Sequence, residues 1–367
     1  MRHTNRIFAF HLLNDRSGSP KVLSQIIKGW VNDGMDIHLY TSLYQEGFLS
    51  GIEGVSYHNG WYRFKENPWI RLLFYTLSQL ILIGKMYRKI KKTDIVYINT
   101  VLPFGAALLG KIKGCRVIYH IHESTVNPAI LKWFLFKIVK WSASEIINVS
   151  KYVEKSHGIK NVPNHLVYNA IDEYFLLNLL PKEESVFRPS RVLMVCSLKA
   201  YKGVFEFIQL AADFPQYQFR LVLNATQTEI NSFFGGVQFP DNLTLFPSQS
   251  NLHPFFQWAD IIVNLSRPDA WIETFGLTII EGMAYGLPAI VPPVGGILEV
   301  IEEGVTGFSV DSRNSIQLND KLSQLLSNTN DYKTCAREAL KRLNHFKEAQ
   351  MLLDISAIIN GDFRQAL

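Results

Sequence analysis

The most restrictive feature of this 367-residue sequence is a regular alternation between short apolar runs and longer amphipathic stretches. Strands are predicted by runs such as RIFAFHLL, TDIVYINT and RVLMVCSL, and a helix is predicted by SPKVLSQIIKGWV. This order is typical of βα units, in which each helix returns the chain to the next strand of a parallel sheet. The sequence therefore predicts an α/β protein.

The series of βα units is interrupted once, by the polar, proline-bearing stretch NLLPKEESVFRPSR at residues 178–191. A chain of this length exceeds what one hydrophobic core usually serves. We therefore expect two βα domains, residues 1–180 and 181–345, and a final helix within 346–367 that packs back on the first domain. A cleft between two such domains is a favoured ligand site.

Composition is that of an ordinary folded protein, with 47% hydrophobic and 19% charged residues. The three cysteines are far apart and form no CxxC pair, which argues against a disulfide framework and a zinc site. The N-terminus lacks the long apolar region of a signal peptide. The best candidate for a membrane span, Leu72 to Gly84, is shorter than the roughly 18 residues required. These features predict a cytoplasmic protein.

Charge is distributed unevenly along the chain. Residues 1–180 hold 22 Lys and Arg against 12 Asp and Glu, whereas residues 181–367 hold 15 against 20. A basic N-terminal half indicates an anionic partner, such as a phospholipid surface, a nucleic acid or a phosphorylated substrate. Nucleic acid is disfavoured because no recognisable binding module accompanies the charge.

Two glutamates eight residues apart, Glu273 and Glu281, lie in the otherwise apolar stretch WIETFGLTIIEGMAYGLPAIVPPVGG. Charged residues seldom stay in apolar surroundings without a partner. A helix is predicted over FGLTIIEGMAY, with Thr274 as its N-cap and Gly286 just beyond its end. Glu273 then lies in the loop before the helix, and Glu281 lies inside the helix.

The start of this predicted helix is suited to an anion. The backbone N–H groups of Phe275, Gly276 and Leu277, together with the helix dipole, favour a diphosphate there, and Gly276 has no side chain to obstruct it. Further along, Glu281 can accept two hydrogen bonds from a vicinal diol such as the hydroxyls of a ribose. The structural alternative is that Glu273 only interacts with the helix dipole and that Glu281 faces solvent.

The stretch ETFGLTIIEGMAYGLPAIVPPVGGILEVIEEGVTGFSV resembles the donor-site signature of the retaining glycosyltransferases of family 4. The resemblance implies a GT-B fold, with two Rossmann-like βα domains whose parallel sheets face each other across a cleft. It also implies that Glu273 contacts the transferred sugar and that Glu281 binds the ribose. The backbone amides of residues 275–277 would bind the diphosphate.

A lysine and a glycine, Lys202 and Gly203, follow the run RVLMVCSL. They resemble the Lys-Gly pair of the family, whose lysine would neutralise charge on the departing nucleoside diphosphate. The family usually has an arginine five residues before that lysine. Here this position is Ser197, and Lys199 is the nearby cation that could replace the arginine. The alternative for Lys202 is a solvated lysine at a helix start.

Two histidines and a glutamate, His120, His122 and Glu123, end the run CRVIYHIHES. On a strand, the two histidines point to the same face. The family has a histidine at the end of this strand near the reacting centre, and His122 fits best; it would orient the reacting groups or shuttle a proton. The alternatives are that the histidine is satisfied by a backbone carbonyl or that all three residues ligate zinc.

The first strand-to-helix loop, NDRSGSPKVL, contains Gly18, which resembles the glycine loop that approaches the donor phosphate or the acceptor in the family. Its alternative is a tight turn with Ser19 as the helix N-cap. The chain contains no Asp-x-Asp, the motif with which metal-dependent glycosyltransferases of the other main fold hold a cation. We therefore expect no metal and no cofactor, with Lys202 and the helix start neutralising the diphosphate.

Two stretches of the basic half bear on the acceptor. WIRLLFYTLSQLILIGKMYRKIKK and NPAILKWFLFKIVKW combine basic residues with apolar and aromatic ones, as suits an anionic membrane surface. In the first stretch we expect the apolar face to pack on its own sheet; it comprises Ile70, Leu73, Phe74, Leu77, Leu80 and Ile81. The second stretch has aromatic residues on more than one face and is the better membrane candidate.

These features predict a retaining glycosyltransferase that moves a sugar from a nucleoside diphosphate sugar to a lipid-linked glycan. It would act at the inner face of the plasma membrane, in bacterial O-antigen, lipopolysaccharide or capsule biosynthesis. His122 and Glu273 would be catalytic, and the donor site would comprise Gly18, Lys199, Lys202, Phe275, Gly276, Leu277 and Glu281. The alternatives are transfer to a soluble acceptor and, because Ser197 replaces the arginine, a nucleotide-sugar-binding protein with weak catalysis.

Overall fold

The computed structural model describes residues 6–44, 46–181 and 189–363. The chain divides into two compact units: the first consists of Met1–Asn169 and Ala349–Leu367, and the second of Ala170–Glu348. Each unit is built on one parallel sheet. The α/β class and the two Rossmann-like sheets predicted from the sequence are therefore confirmed.

The first unit has a seven-stranded sheet. Its strands are β1 (Arg6–Phe10), β2 (Asp36–Thr41), β3 (Val55–Asn59), β4 (Ile95–Asn99), β5 (Arg116–Ile121), β6 (Glu145–Asn148) and β7 (Asn164–Leu166). Its connecting helices are α1 (Gly18–Asn32), α2 (Pro68–Met86), α3 (Phe104–Ile112), α4 (Ala129–Ser142) and α5 (Lys151–His157). The strand order is β3-β2-β1-β4-β5-β6-β7, so the order reverses direction between β1 and β4.

The second unit has a six-stranded sheet. Its strands are β8 (Arg191–Ser197), β9 (Gln218–Asn224), β10 (Leu243–Phe246), β11 (Ile261–Val263), β12 (Ala289–Val291) and β13 (Gly307–Ser309). Its helices are α6 (Glu173–Leu177), α7 (Val204–Asp213), α8 (Gln227–Phe233), α9 (His253–Trp258), α10 (Leu277–Met283), α11 (Ser315–Ser327) and α12 (Thr329–Arg342). The strand order is β10-β9-β8-β11-β12-β13, and it reverses between β8 and β11.

The central strands are buried because both faces of a parallel sheet are covered. All five residues of β4 and all three residues of β11 are buried. One hydrophobic core includes Phe8, Ile98 and Tyr119 of the first sheet, and another includes Leu221 and Ile261 of the second. Each sheet thus fixes the positions of the residues that follow its strands.

The last helix, α13 (Glu348–Asn360), packs on the first unit. The Arg116 guanidinium at the start of β5 donates hydrogen bonds to the carbonyl oxygens of Ile358 and Ile359. Leu352 lies against Gly29 of α1, where an added Cβ would be 2.9 Å from the leucine side chain. The chain therefore returns to its N-terminal sheet after completing the second one.

Three strands, β3, β7 and β10, are not predicted from the apolar runs of the sequence. All three lie at an edge of their sheet. Leu243 is their one buried residue. These three edge strands are paired on one side and packed shallowly, so they lack the apolar runs that identify the central strands.

The prediction that the apolar face of α2 packs on its sheet is wrong. Ile70, Leu73, Leu77 and Leu80 are exposed. The buried residues of α2 include Ser78 and Gln79, and the Gln79 Oε1 accepts a hydrogen bond from the Gly105 amide of α3 at 3.0 Å. A Cβ on Gly105 would be 2.7 Å from the Gln79 carbonyl oxygen, so the two helices approach too closely for larger apolar side chains at this contact.

Two helices begin at residues other than those predicted from the sequence. The N-cap of α10 is Gly276, at φ 154°, rather than Thr274, and the helix spans seven residues. The N-cap of α1 is Ser17, so Ser19 lies inside the helix rather than capping it. Gly286 has a φ of 65° just beyond α10, as predicted for the end of that helix.

Candidate functional site

The best-defined polar cluster of the second unit is centred on Glu273. Its Oε1 accepts hydrogen bonds from Lys202 Nζ at 2.5 Å, Ser266 Oγ at 2.7 Å and Asn264 Nδ2 at 3.3 Å. The Lys202 and Glu273 side chains are only 14% and 16% exposed. The alternative of a solvated Lys202 is therefore wrong, and Glu273 does more than interact with a helix dipole.

Local backbone geometry brings the members of this cluster together. Gly203 has a φ of +80°, and a Cβ there would lie 2.1 Å from the carbonyl oxygen of Leu265. Glycine alone permits this approach, which places the preceding Lys202 beside the loop that follows β11. On the other side, Glu273 forms a parallel β-bridge with Gly295, where a Cβ would lie 2.3 Å from the Glu273 carbonyl oxygen.

Glu273 remains ionised within this buried cluster. Burial favours the neutral acid, but the Lys202 charge and the hydrogen bonds from Lys202, Ser266 and Asn264 outweigh it and hold the pKa of Glu273 below its usual value. Cys196, at the end of β8, shows the opposite outcome, because burial raises the pKa of its thiol to about 12. The cluster therefore presents a fixed carboxylate and a fixed ammonium group, with no thiolate nearby.

Aromatic rings flank the lysine. Lys202 Nζ lies 4.8 Å from the centre of the Trp271 ring, and Trp271 stacks on Tyr201 with ring centroids 5.2 Å apart. Trp271 is 38% exposed. The Lys202 charge is thus oriented by a carboxylate on one side and an aromatic face on another.

The remaining donor-site residues of α10 are placed as follows. Phe275 is buried, with its ring 5.6 Å from that of Phe346, so only its backbone is available to a ligand. Since α10 begins at Leu277, the amides without an intrahelical acceptor start there rather than at Phe275. Glu281 is 5% exposed, and the alternative in which it faces solvent is wrong.

Lys199 lies apart from the contacts of the Glu273 carboxylate. Its side chain is exposed, and its backbone N–H donates to the Ser197 carbonyl oxygen at 2.8 Å. Hydrogen bonds with Thr226 and the charge of Lys199 lower the pKa of Glu229 at the start of α8. Of the two lysines, Lys202 bonds to Glu273.

The first unit has a cluster at the corresponding end of its sheet. His122 Nε2 lies 3.0 Å from Asn99 Oδ1, and Asn99 Nδ2 lies 3.0 Å from His11 Nδ1. Asn99 Nδ2 also donates to the Ser19 carbonyl oxygen at 3.1 Å, which joins α1 to the end of β4. Gly18, the predicted glycine of this loop, is exposed and is the first residue of α1.

His120 extends this cluster into the core. Its ring centroid is 4.3 Å from that of His122, and its Nδ1 lies 2.8 Å from the Tyr97 hydroxyl. Burial lowers the pKa of His120 to about 3 and that of His11 to about 4. Burial and the neighbouring His120 and His11 lower the pKa of His122 well below its usual range. All three rings are uncharged at neutral pH.

Glu123 does not join the histidines as a zinc ligand. Its Oε2 accepts hydrogen bonds from the backbone N–H groups of Val101 and His122, each at 3.3 Å. Burial raises its pKa to about 7 despite these bonds. Within the described residues, no three His, Cys, Asp or Glu side chains are grouped so that they could hold a metal ion.

The two clusters occupy the same topological position. His11 and Asn99 stand at the carboxyl ends of β1 and β4, and Lys202 and Asn264 follow β8 and β11. These strand pairs flank the reversal of strand order in each sheet, where open α/β sheets bind their ligands. The sequence-based prediction missed His11, Asn99, Asn264 and Ser266. Their common signal is a polar residue at or just beyond the end of a buried apolar strand.

Two family models match this sequence. Residues 180–342 match the family described as Glycosyl transferases group 1, and residues 16–174 match Glycosyltransferase Family 4. Together the two matches cover most of the chain. The chain belongs to this family of glycosyltransferases.

This glycosyltransferase is 25% identical over 330 residues to the N-acetyl-alpha-D-glucosaminyl L-malate synthase of Bacillus anthracis, with 84% of each chain covered. Its fold is similar to that of HepE from Anabaena in complex with UDP and glucose, with a TM-score of 0.78, 18% identity, and coverage of 98% of this chain and 100% of HepE. It is also similar to WaaG, a glycosyltransferase involved in lipopolysaccharide biosynthesis, with a TM-score of 0.74, 13% identity, and coverage of 97% and 100%. At these identities the structural matches show the GT-B fold.

Proposed function

We propose that this glycosyltransferase is a retaining enzyme that moves a sugar from a nucleoside diphosphate sugar to a lipid-linked glycan. The reaction would serve bacterial O-antigen, lipopolysaccharide or capsule biosynthesis. The observation that carries the proposal is the Lys202–Glu273 pair, because a carboxylate accepts sugar hydroxyls and an ammonium group neutralises a leaving diphosphate. Lys202 Nζ and Glu273 Oε1 lie 2.5 Å apart at the end of the second sheet.

Each donor residue has a separate role in this proposal. Glu273 holds the transferred sugar, Lys202 stabilises the diphosphate, and Glu281 binds the ribose. Gly18, Lys199 and the backbone of Phe275, Gly276 and Leu277 complete the diphosphate site, and His122 acts at the reacting centre. The leaving phosphate assists attack from the same face of the sugar, since no carboxylate is assigned as a covalent nucleophile.

The proposed reaction needs no metal ion. The Lys202 ammonium, oriented by Glu273 and Trp271, supplies positive charge where a cation would otherwise neutralise the diphosphate. HepE, whose crystals contain UDP and glucose, supports a nucleotide sugar as the donor of this chain.

We further propose that the acceptor is reached at the inner face of the plasma membrane through α2 and α4. Trp69 at the start of α2 is 80% exposed, and Trp133 of α4 is 61% exposed with Lys137 Nζ 4.3 Å from its ring centre. Exposed aromatic and aliphatic side chains beside lysines and arginines match the chemistry of an anionic bilayer surface. No helix of the described residues is both long and apolar enough to cross a membrane.

The donor assignment is tested by calorimetric titration with UDP, GDP, ADP and dTDP, using the wild type and Glu281→Ala. Loss of a charge-assisted diol contact costs about 1.5–3 kcal/mol, or one to two orders of magnitude in affinity. We expect one nucleotide to bind well and to bind more weakly to the variant. Glu302→Ala, on an exposed residue of the same unit, is the matched control. Equal binding by Glu281→Ala and wild type would show that Glu281 is structural.

The membrane assignment is tested by flotation with vesicles of phosphatidylglycerol and of phosphatidylcholine. Replacing Lys137 and Lys140 of α4 by Gln should reduce flotation with the anionic vesicles at low salt. The free energy of binding to these vesicles should weaken by about 1 kcal/mol for each charge removed. The control replaces Lys333 and Lys341 of α12 by Gln, which removes the same charge from the second unit. Wild-type protein that stays at the bottom with both vesicles contradicts the membrane assignment.

A second candidate is transfer to a soluble acceptor. It is favoured by the relative from Bacillus anthracis, whose name contains L-malate, a water-soluble acid. Transfer to a water-soluble acid without vesicles would support this candidate over a lipid-linked one. The alternative raised by Ser197 is a nucleotide-sugar-binding protein with weak catalysis. Slow hydrolysis of the donor in the absence of acceptor, if measured, would count against it.

A further inference from the structure

Asn99 is completely buried, and its side-chain amide is fully committed to three partners. An amide nitrogen has two hydrogens, and these point to the Ser19 carbonyl oxygen at 3.1 Å and to His11 Nδ1 at 3.0 Å. The amide cannot be reversed, because its oxygen would then face the Ser19 carbonyl oxygen. Oδ1 of Asn99 is therefore the atom that faces His122 Nε2 at 3.0 Å.

This arrangement determines where the proton of His122 lies. Because Asn99 Oδ1 can only accept, His122 Nε2 carries the hydrogen. A neutral imidazole has one ring hydrogen, so Nδ1 of His122 has a free lone pair. The same reasoning places the proton of His11 on Nε2, since its Nδ1 accepts from Asn99.

The groups around His122 keep the ring uncharged. His11 and His120 approach it from β1 and β5, and both have low pKa values of about 4 and about 3 because they are buried. The carboxyl group of the adjacent Glu123 accepts from two backbone N–H groups through its Oε2. Asp15 acts on His11 by raising its pKa, but burial outweighs this effect.

The backbone next to Asn99 is strained. Thr100 has a φ of 74°, which is unfavourable for a β-branched residue. Its N–H donates to the His120 carbonyl oxygen at 2.9 Å, which fixes the end of β4 to the end of β5. Strain of this kind persists where the surrounding structure over-determines it, commonly at functional sites.

We propose that Asn99 is a positioning residue that presents His122 as a neutral hydrogen-bond acceptor, through Nδ1, for a carbohydrate hydroxyl. The inference rests on the proposed function of His122 at the reacting centre. It assigns this histidine to orienting a hydroxyl, or accepting its proton, rather than to acting as a cation or an acid. An unprotonated ring nitrogen accepts a hydrogen bond from a hydroxyl group, such as those of a sugar.

The first test is spectroscopic and needs no substrate. A long-range ¹H–¹⁵N spectrum of the wild-type protein at pH 7 should show His122 as the neutral ring protonated on Nε2, assigned by its loss in His122→Gln. Detection of the Nδ1–H form, or of a charged ring at this pH, would overturn the inference whether or not the protein turns over a donor.

The second test uses Asn99→Asp, which keeps the shape and replaces the amide by a carboxylate. A carboxylate against Nε2 should raise the pKa of His122 by about 1–3 units. We expect the acid limb of the transfer rate to move upward by the same amount. The rate of the variant relative to wild type should then be at least about twofold lower at pH 5 than at pH 8, because protonation of His122 removes the Nδ1 lone pair. The carboxylate oxygen that faces the Ser19 carbonyl oxygen should lower the rate at both pH values. Equal loss at both pH values would indicate a merely structural role and contradict the inference.

The chain provides a matched control for this variant. Asn148, at the end of β6, faces His157 Nε2 through its Oδ1 at 2.8 Å, and it lies outside the proposed site. His157 has a pKa of about 4 because it is buried. Asn148→Asp should raise the pKa of His157 without moving the pH profile of the transfer rate. A parallel movement of that profile would overturn the inference. Wild-type protein with no donor turnover would instead contradict the proposed function.

Discussion

The carboxyl ends of the two sheets carry clusters of opposite electrostatic character. In the second unit, Glu273 is ionised and bonded to Lys202, although both side chains are mostly buried. In the first unit, His11, His120 and His122 are buried and all are held neutral. The topological position is the same in both sheets, at the reversal of strand order.

The difference lies in what surrounds each titratable group. A buried carboxylate keeps its charge where an ammonium group and several hydrogen-bond donors face it, as at Glu273. The histidines face one another, an amide and a phenol, and none of these groups carries a negative charge that would outweigh burial. The second unit is thus suited to a charged phosphorylated ligand, and the first to uncharged hydroxyl groups.

The largest effect is expected from removing the charge at the ionised cluster. Glu273→Gln should lower the transfer rate by about 100- to 1,000-fold, because the group that holds the sugar and orients Lys202 becomes neutral. Steady-state kinetics with the nucleotide sugar identified by calorimetry measure this change. Ser266→Ala removes one hydrogen bond to the same oxygen. It should raise the activation free energy of transfer by only about 1 kcal/mol.

The Lys202–Glu273 coupling is measured with the same assay. If the pair acts as a unit, adding Lys202→Met to Glu273→Gln should reduce the rate much less than the two single losses combined. Strict additivity would show that the two residues act independently, and the comparison between the clusters would lose its basis.

The next effect concerns the backbone approach that builds the second cluster. Gly203→Ala should lower the free energy of unfolding by about 2–4 kcal/mol, because a Cβ would lie 2.1 Å from the Leu265 carbonyl oxygen at a φ of +80°. Gly236→Ala is the control, since Gly236 has a φ of +81° and no atom within 4 Å of an added Cβ. The control should cost about 1 kcal/mol. Similar losses in urea denaturation would mean that φ alone, and not close packing, requires glycine at 203.

A fall in pH should lower the free energy of unfolding of the first unit more than that of the second. The pKa values of His11, His120 and His122 are lowered in the folded unit. The unfolded chain therefore binds protons near pH 6.5 that the folded unit does not bind. Stability is therefore present above about pH 6.5 and is lost as the pH falls. The raised pKa of Glu123, about 7, acts in the opposite direction and offsets about one histidine. His58 and His157 of the same unit also have pKa values lowered to about 4 by burial and add to the loss. We expect a net loss on the order of a few kcal/mol in the first unit between pH 7 and pH 5.

The second unit should resist this change. The pKa of Glu273 is lowered, so its contribution is present above its ordinary value near 4.5 and is lost only below it. Hydrogen exchange read by mass spectrometry at pH 7 and pH 5, corrected for the intrinsic rates, distinguishes the sheets. Earlier opening of β8 and β11 than of β1 and β4 would contradict the assignment of charge states.

The smallest effect is expected at Lys199. It is exposed, so Lys199→Met should weaken binding of the nucleoside diphosphate by less than about 1 kcal/mol. Lys202→Met, measured in the same calorimetric titration, should weaken binding more because its ammonium group is shielded from water. If Lys199→Met has the larger effect, Lys199 takes the place of the arginine that Ser197 replaces.

The sequence alone determined the α/β class and the central strands, because buried parallel strands require continuous apolar runs and their helices require amphipathic ones. It also singled out Glu273, since a charged residue in apolar surroundings needs a partner. Lys202 was named through the resemblance to the Lys-Gly pair of the family. The pairing of these two residues was not predicted, although both were named. They are 71 residues apart, and no local pattern records a contact across that separation.

Only the tertiary structure decided which polar groups meet and which surfaces remain exposed. Asn99, His11 and His122 come from three different strands, and their contact depends on the order β1-β4-β5 in the sheet. The outward apolar face of α2 likewise depends on the close approach of α3 at Gly105. Periodicity identifies the faces of a helix, but the neighbour that packs against it determines which face is buried.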